Sequence, residues 1–232
     1  MMRLLSAFLW RISKKMSGTI NKESAARASK VTAALKREYP DARCALNYET
    51  PFQLLIATIL SAQCTDARVN IVTSTLFNKY RTPSDFIAVP DEELEKDIFS
   101  TGFYKQKAKS IKACCIALIE KHGGDVPSGF DDLCELPGVG RKTASVVAGN
   151  AFGFPSVAVD THVKRITNLL GLVESQDPEK IEAEIKLLVD PNDWVIFSHL
   201  IATHGRTVCF ARKPACSQCV ISGYCPSVKY EK

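Results

Sequence analysis

Along most of the chain, apolar residues return every third or fourth position: Val69, Val72, Leu76 and Phe77, then Ile111, Cys115, Leu118 and Ile119, then Ile181, Ile185 and Leu188. That interval lines one face of an α-helix. No segment alternates apolar and polar residues long enough to predict a strand. Thr50-Pro51, Val89-Pro90 and Asp177-Pro178 put proline where a first helical turn tolerates its missing N–H, and Gly102, Gly123, Gly124 and Gly171 fall where helices would stop. The pattern predicts an all-α protein of about nine or ten helices joined by short turns. Residues 21–39 read as a polar surface helix whose Lys22, Arg27, Lys30, Lys36 and Arg37 form a solvated face.

With 232 residues, 46% of them hydrophobic, the chain can bury a real core in one large domain or two small ones. No Pro/Gly/Ser-rich linker or repeat divides it, so any two domains must pack closely. Thirty basic residues against 25 acidic ones leave a net charge of +5. So mild an excess serves nucleic-acid binding only where it is concentrated. The apolar run Leu4, Leu5, Phe8, Leu9, Trp10 and Ile12 is too short to span a bilayer, and Arg11, Lys14 and Lys15 close it, the reverse of a secretory signal's order. Residues 1–20 are accordingly expected to be a disordered extension, and the Met at position 16 fits an upstream start codon.

Nine cysteines are unevenly placed: Cys44, Cys64, Cys114, Cys115 and Cys134 are scattered, whereas Cys209, Cys216, Cys219 and Cys225 crowd together. An odd total without a secretory signal argues for a reducing compartment, the cytoplasm, over a disulfide framework. The scattered five read as small core hydrophobes. The clustered four place soft thiolates in one short loop, which on chemistry alone suits tetrahedral zinc or a cubane cluster equally. Their spacing matches neither the paired knuckles of a zinc ribbon nor the repeated Cys-x2-Cys of bacterial ferredoxins.

Leu136-Pro137-Gly138-Val139-Gly140-Arg141-Lys142 lies between two helical stretches, as a tight turn would. Pro137 presets its own φ, and Gly138 and Gly140 permit positive φ and close approach to another surface. Amides at the start of the second helix are left unpaired and can meet a phosphate. The plain alternative is an ordinary glycine-bearing connection. Lys142 would sit in the first turn of that helix, where the macrodipole and Arg141 disfavour its ammonium form and make it a better amine nucleophile; otherwise it is a solvated lysine. Asp160, ahead of His162, Val163 and Ile166, reads first as an N-cap. One carboxylate oxygen can cap while the other faces a site.

The run from Leu136 through Thr143 and on to Val159-Asp160-Thr161-His162 resembles the helix-hairpin-helix DNA glycosylases, and the cysteine spacing resembles the [4Fe-4S] loop of the endonuclease III family. The likeness covers the chain from about residue 24 to Pro226. It implies two helical domains around a DNA-binding cleft: a barrel at 44–154 carrying the hairpin, and a second domain from 21–43 plus 155–232 carrying the cluster on Cys209, Cys216, Cys219 and Cys225. It further implies that Lys142 attacks C1′ of a damaged nucleotide while Asp160 assists. Schiff-base formation and β-elimination then cut the strand. The DNA contacts it implies are Leu136, Gly138, Val139, Gly140 and Arg141 in the hairpin, Gln63 entering the space of an extruded nucleotide, and Phe103 as a second wedge. Arg212 and Lys213, between the first two cysteines, read as phosphate contacts; His162 is expected to be structural or a secondary polar contact. The implied partner is double-stranded DNA with oxidised pyrimidines or abasic sites, bound by a monomer. An adenine or mismatch glycosylase of the same superfamily is the nearer alternative, against which Lys142 argues; a non-catalytic DNA-binding module is the more distant one.

Overall fold

The structure, a computed structural model, describes residues 22–228; the extension at 1–20 lies outside the described residues. Eleven α-helices form: α1 (Lys22–Glu38), α2 (Pro51–Leu60), α3 (Asp66–Lys79), α4 (Pro83–Ala88), α5 (Asp91–Ile98), α6 (Tyr104–His122), α7 (Phe130–Cys134), α8 (Arg141–Phe152), α9 (Thr161–Leu169), α10 (Pro178–Leu188) and α11 (Trp194–Thr207). No strand occurs among the described residues. There is one helix more than the periodicity predicts, because α4, six residues long, is too short to show a repeating face; α7 is the helical stretch expected ahead of the hairpin.

Local chemistry explains where the helices begin. The Thr50, Thr65, Thr82, Asp160 and Asp177 side chains each accept a first-turn amide, and Pro51, Pro83 and Pro178 fill first-turn positions that need no N–H. Pro90 stands one place earlier than expected, at the N-cap of α5. On α1 the expected solvated face is present, with Lys22, Lys30, Lys36 and Arg37 exposed, while Ala28, Val31, Ala34 and Leu35 are buried where α1 packs on α10 and α11. Its apolar stripe is made partly of alanines, which carry little hydropathy and so conceal the face.

Two separate cores result. The first gathers Leu54, Leu55, Phe86, Ile111, Leu118 and Val147 from α2, α4, α6 and α8. The second gathers Val31, Leu35, Val163, Ile166, Phe197 and Leu200 from α1, α9 and α11. The chain thus starts in the second core, builds the first, and returns. Among the described residues no helix is long and apolar enough to cross a membrane.

Candidate active site

The hairpin between α7 and α8 is fastened from inside. Leu136 and Val139 are both buried in the first core, and the Val139 amide donates to the Leu136 carbonyl at 3.1 Å. Their side chains therefore anchor the turn, so that any contact they make with DNA is through the backbone. Gly138 needs to be glycine twice over: its φ is +78°, and a Cβ there would stand 2.8 Å from Cβ of Ser110 on α6. Gly140 differs from its expected role, with φ −85° and an extended backbone at the N-cap of α8. A Cβ on it would meet nothing within 4 Å. No side chain caps α8, so its first-turn amides remain available to a ligand.

The Arg141 side chain, 47% exposed, reaches across to α10. Its Nη2 donates to Glu182 on α10 at 3.2 Å, its Nε lies 3.9 Å from Glu179, and its guanidinium covers the Phe130 ring at 5.1 Å. Glu182 is buried and also accepts from Lys186 at 2.5 Å. The Arg141 side chain thus ties the hairpin to the second core, and its backbone amide, in the first turn of α8, stays open to a phosphate.

Lys142 and Asp160 line one cleft, shared with Cys44, Ser61, Asp66, His199 and Arg206. The two elements that carry them belong to different cores. Asp160 caps α9, its Oδ1 accepting the Val163 amide at 2.8 Å; Oδ2 has no hydrogen bond among the described residues. Across the cleft, Arg206 of α11 donates to Asp66 of α3 at 2.6 Å. His199 pairs its Nε2 with Oδ1 of Asn150 at 2.8 Å, joining α11 to α8. Burial above all, with the Arg206 charge adding to it and Asp160 opposing, holds the His199 imidazole below its ordinary range. His162 is lowered by burial too and lies 3.5 Å from Arg165, consistent with a structural part. Sequence reasoning misses Asp66 and His199. Asp66 stands three residues after Gln63, so proximity in sequence was the available signal; His199 belongs to no local motif.

Among the described residues, the non-glycine positions with positive φ are Gln63 (52°), Phe103 (48°) and Lys213 (53°). Each such residue costs about 1–2 kcal/mol, and for a bulky side chain the conformation is an outlier. Phe103 nonetheless stands 66% exposed, and Gln63, Arg212 and Lys213 are exposed. Strain of this kind collects where a surface is shaped for a ligand.

Cys209, Cys216, Cys219 and Cys225 surround one apolar cavity walled by Ile166, Leu170 and Ile221. Burial raises the Cys219 and Cys225 thiols, and the other sulfurs of the set raise them further. Donors already face the sulfurs: Arg165 Nη1 is 3.6 Å from Cys209 Sγ, and His204 Nε2 is 3.5 Å from Cys219 Sγ. Burial, aided by Arg165, brings His204 down to about 4, so a neutral ring can take the Tyr39 hydroxyl at Nδ1, 3.0 Å away, and donate from Nε2. Four soft ligands, an apolar enclosure and donors to sulfur fit an iron–sulfur cluster.

Residues 56–191 match the model of the HhH-GPD superfamily of base excision DNA repair proteins, and residues 209–225 match the iron–sulfur binding domain of endonuclease III. The chain is 48% identical to endonuclease III of Synechocystis sp., over 88% of this chain and 93% of that protein. Among solved structures it is similar to a non-covalent endonuclease III–DNA complex, at 45% identity and TM-score 0.85, covering 88% of this chain and 95% of that one. A trapped endonuclease III–DNA covalent intermediate matches equally, at 45% identity and TM-score 0.85, covering 88% and 96%.

Proposed function

Since the chain belongs to the HhH-GPD superfamily of base excision DNA repair proteins, and within it to the endonuclease III family, we propose that Lys142 and Asp160 carry out its chemistry on oxidised pyrimidines and abasic sites. The protein is a DNA glycosylase and abasic-site lyase with a [4Fe-4S] cluster, and DNA is its partner. The observation that carries the residue assignment is the meeting of Lys142 and Asp160 in one cleft, from helices in different cores.

The steps follow from the groups present. A damaged nucleotide leaves the stack, which costs a few kcal/mol and least where damage has already weakened pairing. Exposed Gln63 and Phe103 enter the space left behind. The unpaired amides of Arg141, Lys142 and Thr143 and the exposed Arg212 and Lys213 hold phosphates on either side. The Lys142 Nζ lone pair forms a bond to C1′ as the C1′–N bond breaks and its electron pair leaves with the base. Asp160 carboxylate stabilises the positive charge on the sugar or takes the amine proton. Once one amine proton is lost, the nitrogen lone pair forms C=N as the C1′–O4′ bond breaks and O4′ takes a proton; the protonated Schiff base that results acidifies the 2′ hydrogen. Its removal expels the 3′ phosphate, and water releases Lys142. The four cysteines would hold the cluster, which when bound braces the loop bearing Arg212 and Lys213.

The protein is proposed to act as a cytoplasmic monomer, its two bodies being 44–154 and 21–43 plus 155–232. Borohydride trapping on duplexes containing thymine glycol or an abasic site tests the reading. A covalent adduct is expected on both, and none with Lys142→Ala. Trapping on abasic DNA alone would move the search to other lesions; DNA binding without any adduct would overturn the lyase assignment to Lys142.

A further inference from the structure

Lys107 lies on α6 between Lys105 and Lys109, and it is only 5% exposed. Its Nζ donates to the carbonyl of Leu60 at 2.7 Å and to that of Thr101 at 2.8 Å. Leu60 ends α2, three residues ahead of Gln63; Thr101 ends the short 3₁₀ turn Phe99–Thr101, two residues ahead of Phe103. One buried ammonium therefore stands at the root of both loops. Burial pulls its pKa down, while the nearby Cys64 thiol acts in the opposite sense.

Keeping a cation here is unfavourable unless its donors are satisfied. Two carbonyls on separate elements supply that satisfaction, and each would be left unpartnered without the lysine. The loops they anchor hold two of the left-handed non-glycine residues, Gln63 at φ 52° and Phe103 at φ 48°. Neither conformation persists unless its surroundings enforce it. Tyr104, directly after Phe103, rests on Phe99 with ring centroids 4.8 Å apart, which stiffens the second loop further.

We propose that Lys107 is a positioning residue that locks the Gln63 and Phe103 loops at a fixed separation, so that the two side chains enter the duplex together as one rigid fork. The proposal rests on the reading of those two residues as intruders. The lysine touches neither DNA nor the reacting atoms. It acts on extrusion of the nucleotide and leaves the later bond-making at Lys142 alone.

Single-turnover borohydride trapping by the holoenzyme separates these effects on three DNAs: a thymine glycol duplex, an abasic duplex, and the same abasic strand without its complement. Only the duplexes demand extrusion. Lys107→Met keeps the length and removes the donors; it is expected to slow both duplex reactions by roughly tenfold to a hundredfold and the single-strand reaction by less than about twofold. Equal slowing on all three, or none on the duplexes, overturns the proposal. Gln63→Ala and Phe103→Ala are measured alongside. If neither slows the duplex reactions, the intrusion reading itself falls; if both do and Lys107→Met does not, only the lysine's role falls. Should the Met variant fail to fold, Lys107→Gln, with a shorter donor, is expected to lose part of the duplex rate and keep the single-strand rate. A full duplex rate in that variant overturns the proposal as well.

Discussion

One carboxylate oxygen of Asp160 accepts the Val163 amide at 2.8 Å, while the residue also borders the cleft with Lys142. The two parts can be separated by substitution, because asparagine caps a helix about as well as aspartate and carries no charge. Asp160→Asn is expected to unfold within about 0.5 kcal/mol of wild type while its single-turnover rate falls by about 10²–10⁴. Asp160→Ala should lose the same rate and about 1 kcal/mol of stability besides. Thermal unfolding set beside trapping rates checks both; an asparagine variant with full activity would reduce Asp160 to a cap. Lys142 and Asp160 were legible in the sequence because each sits in a local pattern with its own physical reason, a glycine hairpin and a helix start. Lys107, Asp66 and His199 were not. Each acquires its meaning from a carbonyl, guanidinium or amide brought to it from far along the chain, and nothing in its immediate neighbours records that. Arg141 shows the converse: its position in the motif suggests a phosphate contact, and the third dimension gives its side chain to Glu182.

At the scale of elements, α8 carries Lys142 and packs against the beginning of α11 through Gly149. In an ordinary helix interior, alanine for glycine stabilises by about 1 kcal/mol. Here a Cβ would stand 2.7 Å from Ser156 Oγ and 2.9 Å from Val195 Cγ2. Ser156 is held by its hydrogen bond to the Ser145 carbonyl at 2.7 Å and is not free to turn aside. Gly149→Ala is therefore expected to lower stability by about 1–3 kcal/mol, the usual range for overpacking, seen as a fall in the urea midpoint with an unchanged slope. A rise in the midpoint would mean that α8 and α11 stand further apart than described. Helix type was readable from the three-and-four periodicity and from proline and threonine at helix starts. The signal is physically weak in α1, whose buried stripe contains alanines, and absent in α4, which ends before a face can repeat. Gly149 illustrates the remaining gap, since a glycine kept for close approach looks in sequence like one that merely tolerates a helix.

For the whole molecule, two cores share one cleft, and they do not depend equally on the cluster. Cys209, Cys219 and Cys225 pack against the second core, as does Ile221, which is fully within it. The segment from Cys209 to Cys225 has only two single-turn 3₁₀ pieces, Cys216–Gln218 and Ser222–Tyr224. Ordering backbone costs about 1–2 kcal/mol per residue, whereas burying one isoleucine returns roughly 1.5–3 kcal/mol. Ile221 alone cannot hold so long a loop, and the four metal bonds must supply the rest. Oxidative removal of the cluster is therefore expected to leave the first core folded and to release the loop, with loosening that spreads into α9 and α11 through His204 and Leu169, whose side chain and carbonyl contact Cys219 and Cys225. Hydrogen exchange followed by mass spectrometry should show lost protection at residues 208–228 and in α9 and α11, with α2, α4 and α6 unchanged. Lys142 would keep its place on α8 while Asp160, at the start of α9, loses its own, so lysine trapping should disappear from a protein whose barrel remains intact. Uniform loss of protection would instead make the two cores one cooperative unit, and unchanged protection would show that packing alone holds the loop.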